Sequence, residues 1–270
     1  MAGGEVKVVR HDDWVQVVLN HPGKFNAMSR SMWRELRQVF ATLQEHTNLR
    51  CVLLSGANGH FCAGGDISEY PDFRFQPETL RSFHEEDVWG ALQCMLDCDV
   101  PIVARIDGNC MGAGVEIASC CDVRLGAASS RYGAPIARLG FPMAEKEAAL
   151  VSRAVGDSVA RAMLLGAEVF DANRMLQCGF LTHCVDDQRL EADAMAFVVR
   201  QVQLAPLATR AHKRMFRALS LIGCHADEAQ SALNSVANES IDPYAYADSP
   251  EHREGIEAFL QKRKPRFSGS

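Results

Sequence analysis

Two short β-branched runs, Val6 to Val9 and Trp14 to Leu19, flank a polar turn at His11 to Asp13 and predict a β-hairpin. The hydrophobic period then lengthens. Met32, Trp33, Leu36, Val39, Phe40 and Leu43 recur at helical spacing, with Ser29 or Ser31 as the N-cap. Cys51 to Leu54 is continuously apolar and reads as a buried strand ended near Gly56 and Gly59. Residues 68 to 80 hold Tyr70, Pro71, Phe73, Phe75 and Pro77 without a period, which predicts a mobile loop of the kind that covers a site. A helix is expected from Leu80 to about Leu96, then a strand at Pro101 to Ile106 with proline at its first position. A glycine-rich turn, a helix from about Gly112 and a strand at Asp122 to Leu125 follow. Beyond Glu145 the pattern is helical. Asp157 or Ser158 caps one helix, Asp171 caps another that ends at Gly179, and Phe180 to Val185 suits a last strand. From Leu190 onward only helices are expected, broken at Pro206 and Gly223, the last opening on Ser249, Pro250 and Glu251.

This alternation predicts an α/β fold. Its two strand, glycine-loop, helix units place a ligand site at the carboxyl ends of neighbouring strands. Composition narrows the class. At 270 residues, 47% hydrophobic and 23% charged, the chain can bury a full core. Its net charge of −6 argues against a nucleic-acid surface, so any anionic ligand must be held by a local patch. The ten cysteines lie mostly in apolar stretches without a CxxC pair, as reduced core residues of a cytoplasmic protein. No apolar run reaches the roughly 18 residues of a membrane span, so no membrane partner is expected.

Two segments can carry chemistry. His60 to Ile67 (HFCAGGDI) follows a strand, and its glycines let backbone amides approach a ligand; a plain turn capped by Asp66 fits the same residues. Asp107 to Glu116 (DGNCMGAGVE) also follows a strand, and its glycines open a helix whose free amides suit a developing oxyanion. Glu116 lies three residues after Ala113, about one turn on and on the same face. A carboxylate among Val115, Ile117 and Ala118 is either a first-turn charge or a working group. Two amides and one carboxylate are what enolate chemistry needs, the amides holding a thioester oxygen and the carboxylate moving a proton. Scattered histidines give no metal site, and neither a P-loop, a dinucleotide fingerprint nor a Gly-x-Ser-x-Gly elbow is present.

These paired loops resemble the crotonase superfamily of enoyl-CoA hydratases and isomerases, and the resemblance runs from Asn20 to Met28 through to Gly255 to Arg263. It implies a spiral of ββα units, with a core over 1–200 and a helical trimerisation and CoA-covering segment over 201–270. The oxyanion amides fall on Ala63 and Ala113, and the catalytic carboxylate on Glu116. Contacts to the CoA thioester, which is substrate rather than cofactor, fall on Lys24, Asn26, Ala27, Gly64, Asp66, Ile67 and Lys262. Lys262 reaches CoA from a neighbouring subunit of a homotrimer or hexamer. Lys24 and the cluster at 262–264 then supply the local positive charge.

One departure bears on the reaction. The family's hydratases carry a second Glu in a Pro-Glu pair, where this chain has Pro135-Ile136. Glu145 or Glu147 can replace it, or serve only as an acidic helix start. The expected activity is enoyl-CoA hydration. A single-base Δ3-Δ2-enoyl-CoA isomerase, an acyl-CoA decarboxylase or C–C lyase, and a non-catalytic CoA-ester-binding protein are the alternatives.

Overall fold

The computed structural model describes residues 3–222 and 246–267; the predicted break at Gly223 and the cysteine at 224 lie outside them. The hairpin forms from β1 (Glu5–Arg10) and β2 (Trp14–Asn20), with Glu5 opposite Asn20. From β2 the sheet continues in parallel through β3 (Cys51–Gly56), β4 (Ile102–Ile106), β6 (Val123–Ala127) and β9 (His183–Val185). Both faces of this sheet are covered, which is why β3 reads as an unbroken apolar run. Val52 and Leu54 join the main core with Met32, Leu36 and Phe40 of helix α1 (Arg30–Gln44). Cys51 and Leu53 point the other way, onto Leu190, Ala194 and Val198 of the helix Leu190–Gln201.

Local chemistry sets several element ends. Ser29, not Ser31, caps α1, its Oγ accepting the Met32 N–H at 3.2 Å. Asp171 caps the helix Ala172–Gln177 as expected, whereas Gly156 rather than Asp157 or Ser158 precedes the helix Asp157–Leu165. Ser249 accepts the His252 N–H at the start of Pro250–Leu260.

Two regions differ from the sequence pattern. A second sheet joins β5 (Asn109–Met111), β7 (Arg131–Gly133) and β8 (Val169–Asp171), strands of three residues that are too short to show a period. The segment expected as a loop over 68–80 begins as a 3-10 helix, Ile67–Asp72, because Asp66 accepts the Ser68 N–H. Helix α2 (Pro77–Ser82) then starts on its proline and runs through a π-helical turn, Phe83–Val88, into α3 (Trp89–Asp97).

That π turn is held from below. Asp87 is buried, and its two carboxylate oxygens take Arg30 Nε at 2.8 Å and Arg34 Nε at 2.7 Å, residues one turn apart on α1. The clamp fixes Phe83, His84 and Val88, which face the site. Asp87→Ala leaves two guanidinium groups without their shared carboxylate and should destabilise the fold by about 2–3 kcal/mol. Urea denaturation reads this as a lower midpoint, and an unchanged midpoint refutes the role given to the clamp.

Candidate active site

The carboxyl ends of β3 and β4 feed the two glycine loops, and backbone pairing draws those loops together. Phe61 N–H donates to Asp107 O and Cys62 N–H to Asn109 O, both at 2.8 Å, while Cys62 O accepts Met111 N–H at 2.9 Å. Cys62 and Cys110 thus form a parallel bridge. On its other edge the same segment pairs with Met28, whose N–H donates to Gly64 O at 2.7 Å and whose carbonyl accepts the Asp66 N–H at 2.8 Å. The turn into helix α4 (Ala113–Ser119) uses Gly112 at φ +46°, a region side chains disfavour. Gly114 follows, and a Cβ there would stand 2.7 Å from Cys62 O, so only glycine lets α4 rest on the first loop.

This arrangement corrects one expectation. The Ala63 N–H donates to Phe25 O at 3.0 Å and is not free to hold an oxyanion. Among the described residues, the amides of Gly64, Gly65 and Ala113 find no acceptor, and all three residues line one cavity. The loop's available donors are therefore its glycines. A methyl group on Gly65 would run into Tyr70 Oη, so the phenol packs against the Gly65 backbone.

The cavity measures about 330 Å³ and is walled mainly by apolar side chains, among them Trp33, Ile67, Val88, Met111, Ile136 and Met143. Glu116 enters it from the first turn of α4. Burial pushes its carboxyl up to about 8, the nearby Glu147 adds to the rise, and Arg74 opposes it. At neutral pH the group therefore carries a proton.

Three further polar residues of the cavity were not singled out from the sequence as site residues. Tyr70 and Arg74 come from the aperiodic segment, and His84 from the π turn; all three line the cavity. Glu147, in the first turn of α5 (Glu145–Val155), is 2% exposed, and His84 Nδ1 lies 3.2 Å from its Oε1. Of the two glutamates noted in the sequence, Glu147 meets the site through His84 without lining the cavity itself, while Glu145 is exposed at the helix start. Ile136 does line the cavity, as an apolar wall on the 3-10 helix Ile136–Leu139.

The residues expected to hold CoA separate into two groups. Asn26 is 2% exposed, and its amide serves the fold, accepting His21 N–H at 3.0 Å and donating to Ala57 O and His60 O. Ala27 is likewise buried, with its carbonyl 2.6 Å from His21 Nδ1, so neither offers a free polar group. Lys24 Nζ sits 2.6 Å from Asp66 Oδ2 and 2.8 Å from Ser68 Oγ, and Asp66 is buried, its carboxyl held below the usual range by Lys24 and Ser68 against the opposing effect of burial. This pair ties the 24–27 turn to the first loop. Gly64 and the exposed Ile67 remain at the cavity. Lys262 lies beyond the final helix, outside the cavity lining, with no side-chain partner among the described residues.

The family model described as enoyl-CoA hydratase/isomerase matches residues 11–270. The chain belongs to that family. It is 27% identical to the 2,3-dehydroadipyl-CoA hydratase of Escherichia coli over 98% of this chain and 99% of that protein. It is 25% identical to the short-chain-enoyl-CoA hydratase of Clostridium acetobutylicum over 92% of this chain and 91% of that protein. The crystal structure of an enoyl-CoA hydratase/carnithine racemase from Magnetospirillum magneticum superposes with a TM-score of 0.88 at 31% identity, covering 98% and 96% of the two chains. The fold is thus that of the crotonases. No helix among the described residues is long and apolar enough to cross a membrane.

The raised Glu116 pKa has a thermodynamic signature. Below about pH 4.5 the carboxyl is protonated in both folded and unfolded chains; between 4.5 and about 8 only the unfolded chain ionises, so stability falls as pH rises through that window. Glu116→Gln cannot ionise. Its melting temperature should match wild type near pH 4 and exceed it increasingly from pH 5 to 8. Parallel curves for the two proteins across that range refute the burial of this carboxyl.

Proposed function

We propose that this family member is an enoyl-CoA hydratase. One observation carries the reading: besides Glu116, the cavity holds a second acid-base pair, His84 backed by the buried Glu147. With Nδ1–H donated to Glu147, the imidazole presents Nε2 as an acceptor for a proton. The thioester oxygen would lie between the free amides of the first loop and that of Ala113.

Water then adds across the 2-enoyl double bond. His84 takes a proton from water as its oxygen bonds to C3, and the π electrons shift through C2 onto the thioester oxygen as an enolate. Protonated Glu116 delivers its proton to C2, and the proton held by His84 returns to Glu116 to close the cycle. Tyr70, packed against Gly65, shields the enolate from bulk water. At the outer end, Ile67 meets the CoA moiety and Lys262 supplies a cation for its phosphates, Lys24 being engaged by Asp66. Exposed apolar residues on the C-terminal helices, Phe216 at 65% and Phe259 at 82%, support the homotrimer or hexamer that would bring Lys262 to a neighbouring site.

A second reading rests on Ile136. Without a Glu there, Glu116 alone suffices for a Δ3-Δ2-enoyl-CoA isomerase, which needs only one proton-moving group. Assays with crotonyl-CoA and longer 2-enoyl-CoAs, beside the matching 3-enoyl-CoAs, decide between them. Hydration of the first set is expected; turnover of the second set alone refutes the hydratase.

Glu116→Gln should lower kcat by about 10³-fold and leave CoA-ester affinity within a few-fold. His84→Gln should lower hydration by about 10²-fold. Because Glu116 acts in its protonated form, kcat/KM for hydration should fall as pH rises through about 8. A rise through the same range assigns Glu116 as a base and sinks the two-group scheme.

A further inference from the structure

Arg74 is the cation in this cavity that the proposed chemistry leaves without a task. Its guanidinium carbon lies 3.7 Å from the ring centroid of Phe141 and 4.5 Å from that of Tyr70. Those rings hold the charge through their faces but accept none of its five N–H groups in the guanidinium plane. Among the described residues, no carboxylate, carbonyl or hydroxyl stands within hydrogen-bond or ion-pair distance of its side chain.

The other half-buried or buried arginines set the comparison. Arg30 is held by Asp87, Arg50 by the Val202 carbonyl, Arg105 by Glu191, Arg124 by the Phe180 carbonyl, Arg210 by the Leu49 carbonyl and Arg217 by Asp99. Each of these keeps at least one partner, although the Nε of Arg50, Arg105, Arg210 and Arg217 makes no hydrogen bond; among the described arginines so desolvated, Arg74 alone has none of its donors taken, and it lines the acyl cavity. A desolvated cation without an anion is costly, and a ligand that brings the anion recovers that energy. Glu116 does not fill the role, because it carries a proton at neutral pH and lies beyond ion-pair distance. Arg138, the other arginine of the lining, donates to the Ala167 carbonyl at 3.1 Å.

We propose that Arg74 receives a carboxylate borne by the acyl group, so that the substrates are CoA thioesters of dicarboxylic or carboxylate-branched enoic acids. The inference rests on the reading of this cavity as the acyl site. Glu116 works at C2 and His84 at C3, so the acyl chain beyond C3 shares the cavity with Arg74. A planar, two-pronged carboxylate matches the guanidinium fork, which lysine does not reproduce.

Binding of unreactive saturated thioesters tests this apart from any turnover. Titration calorimetry would compare succinyl-, glutaryl- and adipyl-CoA with butyryl-, pentanoyl- and hexanoyl-CoA. At one or more chain lengths the diacid thioester should bind at least ten-fold more tightly than its neutral partner. Arg74→Met should erase that preference and leave the neutral esters within about three-fold of wild type. Arg74→Lys, which keeps the charge and the fold, should retain only part of it. Equal or weaker binding of all three diacid esters overturns the proposal and leaves the acyl-CoA reading standing. A uniform loss for every CoA ester in Arg74→Met also overturns it, since Arg74 would then serve the CoA phosphates. Failure of wild type to bind any of the six esters overturns the acyl-CoA reading itself.

Discussion

The site depends on one stretch of backbone pairing, in which residues 61–66 lie as an extended segment, bridged on either side, between Met28 and the 109–111 segment. Five main-chain hydrogen bonds of 2.7–2.9 Å set its register. That register decides which amides are left over. Ala63 is turned toward Phe25, and the next two residues present their N–H groups to the cavity beside that of Ala113. A shift of one residue would exchange the bonded and the free amides, as register shifts do in any sheet. Gly114 completes the arrangement by letting α4 touch the Cys62 carbonyl, so the second loop takes its position from the first. Cys62 and Cys110 are the bridge between them, and burial holds both thiols far above their usual range, as expected of packing residues.

Charge in the site follows from the walls. An apolar cavity cannot keep Glu116 ionised at neutral pH without a close cation, and Arg74 is held back by two aromatic rings rather than delivered to the carboxylate. The protonated acid and the open cation are therefore one design. Had Arg74 closed on Glu116, the carboxyl would be ionised and the guanidinium satisfied. Neither group would then meet a ligand. Outside the cavity the opposite holds: Lys24 and Asp66 neutralise each other and brace the loop.

The α/β frame was legible in the sequence wherever an element spanned several periods, as with the hairpin, α1 and the buried run at Cys51. Glu116 and Ala113 were legible too, because a carboxylate three residues into a glycine-opened helix is an odd choice for a core. The three-residue strands of the second sheet carry no periodic signal. Ala63 was misjudged for a related reason: which amide in CAGG stays free depends on a hydrogen bond to Phe25, 38 positions earlier in the chain. Arg74 and Tyr70 sit where proline and aromatic residues break the pattern, and His84 stands in a π turn that helical spacing does not anticipate. The one available signal for that region was Glu147, a glutamate two residues into a helix that is otherwise amphipathic.

The isoleucine at position 136 finds its meaning in that helix start. A second carboxylate on the Pro135 turn would add a third acid to a cavity already holding Glu116 close enough to Glu147 for their charges to interact. A further carboxyl in this apolar wall would be costly to ionise beside the other two. In the proposed hydratase scheme the second group is instead Glu147, with the His84 imidazole between it and the cavity. The π turn is the structural means. It seats His84 at the cavity while Asp87, three residues on, turns inward to the Arg30 and Arg34 clamp, so His84 and its Glu147 partner are fixed by the same helix that lines the cavity.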